Sequence, residues 1–304
     1  MGEVANIHRS GFVVIVGRPN VGKSTLLNRL LGQKVAIVSP RPQTTRNRIT
    51  GIRTRPDSQI VYVDTPGLHA PRGKLGEFMA ATVAQALEEV DGAVFVAEAT
   101  ESPTALDETA LAPLAGVTAP VLLALNKVDL LADKRRLLPL LEAYARRYPF
   151  RELIPISAAD GRGVDRLERT LLSLLPLGPA YYPEDQLTDQ PETFFVAETI
   201  REQLFRLTRQ EVPYATAVRV EELTDRKASE RLYVRALIFV EQPSQKAIVI
   251  GEGGALVKRI GQAARRELEA FFGVPVYLDL KVEVRKHWRR DDAALREFGY
   301  RLTS

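Results

Sequence analysis

Between the apolar run Phe12 to Val16 and the helically spaced Leu26, Leu27, Leu30 and Leu31 stands Gly17-Arg18-Pro19-Asn20-Val21-Gly22-Lys23-Ser24-Thr25. No other stretch limits the fold so sharply. A G-x-x-x-x-G-K-S loop between a buried strand and a helix is a phosphate-binding loop. Gly17 and Gly22 let the backbone curl until successive N–H groups point inward at phosphate oxygens. The helix N-terminus adds a fixed partial positive charge. Lys23 brings a full charge to β- and γ-phosphates, and the Ser24 hydroxyl is placed to ligate Mg²⁺.

The periodicity downstream tells what surrounds that loop. Strands are expected at 11–16, 59–63, 94–96, 121–125 and 153–156, and helices at 23–31, 77–90, 104–115, 133–147 and 163–175. Strands alternating with helices predict an α/β domain over 1–176, a mostly parallel sheet with helices on both faces. The polar segment Gly32 to Thr50 reads as one long functional loop. Pro176 to Pro191 carries four prolines and reads as a linker over 177–192. From 193 to 304 the order changes to helix 193–209, strands 214–221 and 231–240, helices 244–250 and 255–272, strand 275–285 and a final helix 291–300. That order predicts a separate α+β domain.

With 304 residues, 45% of them hydrophobic, the chain can build two cores. Cysteine is absent, which excludes disulfides and thiolate metal sites and fits a reducing compartment. No signal peptide and no membrane span are expected, because Phe12 to Val16 is short and ends in the phosphate loop. The formal charge of +4 permits an anionic partner without establishing one.

Three later motifs sharpen the phosphate loop. Asp64-Thr65-Pro66-Gly67 closes a strand, so Asp64 can reach Mg²⁺ and the Gly67 amide a γ-phosphate. Asn126-Lys127-Val128-Asp129 closes another, and the Asp129 carboxylate can accept from guanine N1–H and the exocyclic amine, a donor pair adenine lacks. Such a site rejects the wrong base because its buried polar atoms would go unpaired. Ser157-Ala158-Ala159 ends the last strand and can offer the Ala158 amide to guanine O6. Ligands in open α/β sheets bind at these strand ends. Residues 11–175 therefore resemble a small GTPase domain of the translation-factor class, which implies GTP or GDP with Mg²⁺. The Mg²⁺ ligands would be Ser24, Asp64 and Thr45, with Thr44 the rival for the last place. Lys23, Thr45 and Gly67 would serve the reaction, and the segments near 36–50 and 67–76 would be switches ordered by the γ-phosphate. Leu68 departs from GTPases that carry Gln after Asp-x-x-Gly to orient water. Asn20 occupies the place where some relatives hold K⁺, and it reads equally as a turn residue.

In the second domain Ile248-Val249-Ile250-Gly251-Glu252-Gly253-Gly254 joins two helices through a G-x-x-G loop. The element order around it resembles a type II KH domain, whose loop clamps a single-stranded backbone over about four nucleotides. Glu252 has the wrong sign for phosphate, and Lys246, Lys258, Arg259, Arg265 and Arg266 are the compensating cations. Arg285-Lys286-His287-Trp288-Arg289-Arg290 interleaves an aromatic with cations. Arg285 and Arg289 are candidate phosphate ligands, and Trp288 either stacks on a base or packs against the final helix.

A GTPase domain, a linker containing Tyr-Pro-Glu-Asp and a KH domain together resemble the Era family of bacterial ribosome-assembly GTPases. The resemblance implies slow GTP hydrolysis and KH binding to the 3′ end of small-subunit ribosomal RNA on the 30S subunit. It also implies a monomer in the cytoplasm with some peripheral contact at the inner membrane face. A GTPase serving RNA modification or translation is the alternative.

Overall fold

Val13 to Val16 are wholly buried with no polar alternation, as a strand flanked on both faces requires. They belong to β1 (Arg9–Val16), the third strand of a six-stranded sheet. The computed structural model describes residues 8–39, 41–68, 71, 73–88, 90–226 and 231–302. They form two compact units. The first is Met1–Ala36, Thr45–Pro71 and Met79–Asp189, and the second Ile37–Thr44, Arg72–Phe78 and Gln190–Ser304.

In chain order the elements after β1 are α1 (Lys23–Leu31), β2 (Ile49–Arg55), β3 (Ser58–Asp64), α2 (Gly73–Ala86), β4 (Gly92–Glu98) and α3 (Ala105–Leu111). Then come β5 (Val121–Asn126), α4 (Leu137–Ala145), β6 (Glu152–Pro155) and α5 (Val164–Leu174). The sheet order is β2-β3-β1-β4-β5-β6, with only β2 antiparallel to its neighbour. Val16, Val63, Phe95, Leu123, Val83, Leu140 and Tyr144 pack together on one face of it. On the other, α1 lies over β2 and β3 beside α5.

Two features differ from the sequence reading. The loop Gly32 to Thr50 does not run straight into the next expected strand, because Ile49–Arg55 forms β2, an edge strand with only two isoleucines to mark it. Its Gly51 lies so close under α1 that a Cβ there would stand 2.5 Å from Leu31 Cδ1. The helix expected at 104–115 stops at Leu111 and continues as a 3-10 turn, Ala112–Gly116, at Pro113, which has no N–H to extend the ladder.

The proline-rich stretch through Asp189 belongs to the first unit. Ser10 N donates to Pro176 O at 3.2 Å, and Ile52 N to Leu187 O at 2.8 Å, which closes part of the β2 edge. Wholly buried Gln59 is the central pin. Its Oε1 accepts from Tyr181 N at 2.7 Å and Tyr182 N at 2.9 Å, and its Nε2 donates to Tyr182 O at 2.8 Å.

The second unit contains α6 (Glu192–Leu207), β7 (Ala217–Arg226), β8 (Arg231–Val240), α7 (Pro243–Ile250), α8 (Ala255–Phe272), β9 (Val276–Val284) and α9 (Asp292–Glu297). Its sheet order is β7-β8-β9, the first pair antiparallel and the second parallel. Val196, Ile200, Val234, Ile238, Val249, Ile260, Leu268 and Val282 form its core. Among the described residues no helix is long and apolar enough to cross a membrane.

Gln59→Leu should release the 177–189 stretch, since three backbone groups lose their partners at once. We expect a loss of roughly 2–4 kcal/mol and faster hydrogen exchange at the Tyr181 and Tyr182 amides. Unchanged exchange there would show that the stretch is held by other contacts.

Candidate functional site

The motifs of the first unit meet at the C-terminal end of its parallel strands. Register does much of this, pairing Ile15 of β1 with Asp64 of β3 and Glu98 of β4 with Asn126 of β5. Gly17 to Gly22 turn between β1 and α1, with Gly22 at φ 100°. A Cβ on Gly22 would lie 2.4 Å from Asn126 Nδ2, so only glycine fits. Val21 is wholly buried, and Thr25 follows Ser24 on the first turn of α1. Asn20 takes φ 66°, a left-handed conformation that asparagine tolerates, which gives it a conformational reason to be there.

Lys23 Nζ donates to Gly17 O and Arg18 O, both at 3.0 Å. Burial pushes it down to about 8, against the opposing pull of Asp64. Ser24 Oγ donates to Asp64 Oδ2 at 2.6 Å and lies 2.9 Å from Thr45 Oγ1, which itself lies 3.5 Å from Asp64 Oδ2. Asp64 is wholly buried, and burial pushes its carboxyl up to about 6 even though Lys23 and the two hydroxyls favour the anion. Its Oδ1 is buried with no hydrogen-bond partner. Thr44 instead donates its hydroxyl to Arg41 O at 2.8 Å. The structure thus brings Thr45, not Thr44, to Ser24 and Asp64. Two hydroxyls around a carboxylate with one unpartnered oxygen are hard donors of the kind Mg²⁺ takes, completed by phosphate and water. Among the described residues no cluster of three His, Cys, Asp or Glu side chains could hold another metal.

The loop after β3 closes over the phosphate loop. Leu68 N donates to Gly17 O at 3.2 Å, and a Cβ on Gly67 would meet Pro19 Cα at 2.7 Å. Leu68 packs into the core, so its side chain leaves the water position to other groups. Of the two expected switches, Pro40, His69, Ala70 and Arg72 lie outside the described residues.

Asn126 is a brace between loops. Its Nδ2 donates to Val21 O at 2.7 Å, and its Oδ1 accepts from Ala158 N at 2.9 Å. The Ala158 amide, expected at guanine O6, would exchange that acceptor on meeting the base. Ser157 is wholly buried, Ala159 is exposed, and Asp129 presents an exposed carboxylate. Lys127 Nζ donates to Glu98 Oε2 at 2.8 Å, and Arg18 pairs with Glu98 at 3.6 Å and Asp107 at 3.2 Å. Arg29 Nε donates to Ala158 O at 3.1 Å. Glu98, Asp107 and Arg29 escaped the sequence reading, because each lies between motifs and carries no spacing of its own.

In the second unit Gly251, Gly253 and Gly254 have φ of 73°, 55° and 80°, and Glu252 is exposed among them. Lys258 and Arg259 are exposed on the first turns of α8, and Lys246 is half-buried on α7. A groove of about 360 Å³ opens between α8 and β9, with Lys258, Gly261, Arg265 and Leu280 on its walls. Of these, Lys258 and Arg265 are among the cations expected from the sequence to offset Glu252.

The basic run is otherwise employed. Trp288 is wholly buried, donates Nε1–H to Ala215 O at 2.9 Å and packs against Phe298 and Tyr300. Its ring cannot stack on a base. Arg289 Nε binds Glu241 at 2.9 Å, and Arg285 pairs with Asp291 at 3.7 Å. Burial therefore withdraws Trp288 as a nucleic-acid ligand, while Arg285 and Arg289 keep exposed guanidinium surface beside their carboxylates.

The second unit also holds residues 37–44. Val38 N donates to Glu202 Oε1 at 3.2 Å. Arg201, 1% exposed, donates to Thr44 O and, through Nε, to Glu198 at 2.6 Å.

Asp64→Asn should stabilise the nucleotide-free protein. A carboxyl raised from 3.8 to about 6 by folding costs stability as pH rises through that window, and the whole cost persists above it. The gain over wild type should therefore be small near pH 4 and reach roughly 1–3 kcal/mol by pH 7, while Mg²⁺-dependent GTP binding is lost. Melting curves showing no such pH-dependent gain would mean that Lys23 fully compensates the carboxylate.

Comparison with known proteins agrees with this geometry. Residues 12–127 match the family model described as 50S ribosome-binding GTPase, and residues 211–289 match a KH domain. GTPase Era of Geobacter metallireducens is 52% identical over 295 residues, spanning 97% of this chain and 99% of the relative. GTPase Era of Lacticaseibacillus paracasei is 50% identical over 293 residues, 96% and 97% of the two chains. A crystal structure of Era with MgGDPNP and nucleotides 1506–1542 of 16S ribosomal RNA superposes with a TM-score of 0.94 at 41% identity, covering 97% of this chain and 100% of that one. A point variant of Aquifex aeolicus Era bound to GDP and AlF4⁻ gives a TM-score of 0.92 at 41% identity, with the same coverage. With both domains matched in order and half of all positions identical along nearly its full length, the chain belongs to the Era family of GTPases.

Proposed function

We propose that this protein hydrolyses GTP and uses the nucleotide state to gate binding of the 3′ end of small-subunit ribosomal RNA during 30S assembly. One observation carries most of the weight. The chain joins a Ser24–Thr45–Asp64 donor set, with one buried carboxylate oxygen unpartnered, to a G-x-x-G loop that starts the helix lining an open groove. The RNA target is inferred from the Era complex with 16S ribosomal RNA, which this chain resembles over both domains.

Each part of the nucleotide site then has a task. The phosphate loop and Lys23 hold the β- and γ-phosphates, while Ser24, Thr45 and Asp64 would hold Mg²⁺. When bound, the metal supplies positive charge where negative charge develops during phosphoryl transfer. Gly67 offers its amide to the γ-phosphate, and Asp129 reads the base. Potassium rests on the position of Asn20 alone. Placement in the cytoplasm, peripheral membrane contact and a monomeric state rest on the family resemblance.

The gate we infer is the segment 37–44. Its ends are gripped by Glu202 and Arg201 of α6, and it leads directly into Thr45. Ordering Thr45 around Mg²⁺ and the γ-phosphate must displace or tighten that grip.

Two measurements test the reading. Asp129→Asn should lower guanine-nucleotide affinity at least 100-fold, and xanthine nucleotides should recover binding because Asn can donate where Asp only accepts. Equal guanine affinity in the variant would remove Asp129 from base recognition. Separately, single-stranded RNA matching the 3′ end of small-subunit ribosomal RNA should bind at least 5-fold tighter with a non-hydrolysable GTP analogue than with GDP. Arg201→Lys should bring that ratio towards one. Identical affinities in wild type would sink the gate, and binding that is sequence-blind and lost with salt would leave only a basic surface.

A further inference from the structure

The core-facing residues of β9 are Val276, Leu278, Leu280 and Val282, so the pleat puts Tyr277, Asp279, Lys281 and Glu283 on the opposite face. On that face Tyr277 is 59% exposed and stacks on Tyr233, its register partner in β8, with ring centroids 5.6 Å apart and planes 10° apart. Tyr233 is only 8% exposed and firmly backed. Arg235 Nη2 donates to its hydroxyl at 2.7 Å, and the same guanidinium pairs with Asp279 at 3.3 Å.

Tyr277 also borders the groove between α8 and β9. That groove has a direction. α8 starts at the G-x-x-G loop, a Cβ on Gly261 would lie 3.4 Å from Leu280 Cδ1, and Arg265 follows one turn on. From Gly254 to Arg265 the helix rises about 16 Å, about the reach of a clamp for four nucleotides. Moving that way along α8 runs backwards along β9, from Leu280 to Tyr277. The tyrosine therefore stands at the groove mouth farthest from the glycine loop.

We propose that Tyr277, backed by Tyr233, is a stacking platform for a nucleobase lying just outside the four-nucleotide clamp. This rests on the RNA reading above and extends it to a longer footprint. The occupant is a base rather than a phosphate, because Asp279 and Glu283 offset Arg235 and Lys281 on that face, so a sugar–phosphate chain would meet carboxylates and find no net positive charge. A stacked ring has no such conflict, and any base can supply it. An exposed tyrosine alone would mean little. The rigid second ring beneath it and its continuity with the groove single it out.

The test uses the full-length protein with a GTP analogue and nested truncations of the 3′-terminal small-subunit RNA, down to four nucleotides. Tyr277→Ala should weaken the longer RNAs about 10-fold and leave the four-nucleotide RNA unaffected. Tyr277→Phe should restore the loss, and RNA-free GTP hydrolysis should stay unchanged in both variants. A 2-aminopurine placed beyond the clamp should be quenched by wild type and less so by Tyr277→Ala. A loss equal at every length, or absent at every length, overturns the platform while the clamp stands. Wild-type protein that binds none of these RNAs would overturn the RNA reading itself, and the platform with it.

Discussion

The carboxylate of Asp64 is the constraint around which the nucleotide site is built. Parallel pairing of β1 with β3 delivers it to the phosphate loop and seals it from water. A buried anion is costly unless paired and hydrogen-bonded. Here Lys23 spends its donors on the carbonyls of Gly17 and Arg18, and the two hydroxyls serve only one carboxylate oxygen. Burial outweighs these partners and pushes the carboxyl up to about 6. An arrangement that lowers the stability of the fold fits a site for a hard cation, which Asp64, Ser24 and Thr45 would hold and which would supply the charge the protein withholds.

How much of this was legible follows from where the physics is local. The phosphate loop, Asp64, the Asn126 to Asp129 motif and Ser157 to Ala159 each sit at a strand end. Apolar runs mark those strands, so pattern and position agreed. β2 was missed because Ile49-Thr50-Gly51-Ile52 offers little alternation, and its strand character comes from pairing with β3. The grip on 177–189 was equally hidden. Prolines and turn formers do suggest a linker, but buried Gln59, with backbone bonds from Ser10 and Ile52, holds these residues down. Composition describes what a segment would do alone; Gln59 decides what it does here.

The C-terminal basic run teaches a similar lesson about charge. Arg285-Lys286-His287-Trp288-Arg289-Arg290 looks like a nucleic-acid patch when written out. In the fold, Arg289 and Arg285 stay part-exposed and pair with Glu241 and Asp291, and among the described residues Trp288 is the largest wholly buried side chain. Cations that remain exposed near the glycine loop, Lys258 and Arg259, lie on a helix whose opposite side is core. Charge density in sequence does not tell a packed side chain from a presented one, whereas the fold leaves Lys258 and Arg259 exposed on the side of the helix away from the core. The acidic Glu252 is tolerable in that setting, since close backbone approach rather than side-chain charge is what the glycines provide.

The segment 37–44 makes coupling between nucleotide and RNA a physical question rather than a diagram. Glu202 holds one of its amides and Arg201 one of its carbonyls, and the next residue is the threonine whose hydroxyl meets Ser24 and Asp64. Thr44 and Thr45 share a peptide bond, which is planar and stiff. A ligand that turns this peptide plane as it draws in the Thr45 hydroxyl would act on the Thr44 carbonyl and on the wholly buried guanidinium that donates to it. Arg201 keeps its pairing with Glu198 if the Thr44 carbonyl moves away, but a buried N–H then loses one acceptor, which carries a cost. A contact that is made in one arrangement and lost in another would be the kind of element that coupling between two sites requires. Thermodynamic reciprocity does the rest: whatever free energy the nucleotide exerts on α6 through this contact, RNA binding to the same unit exerts back on Thr45.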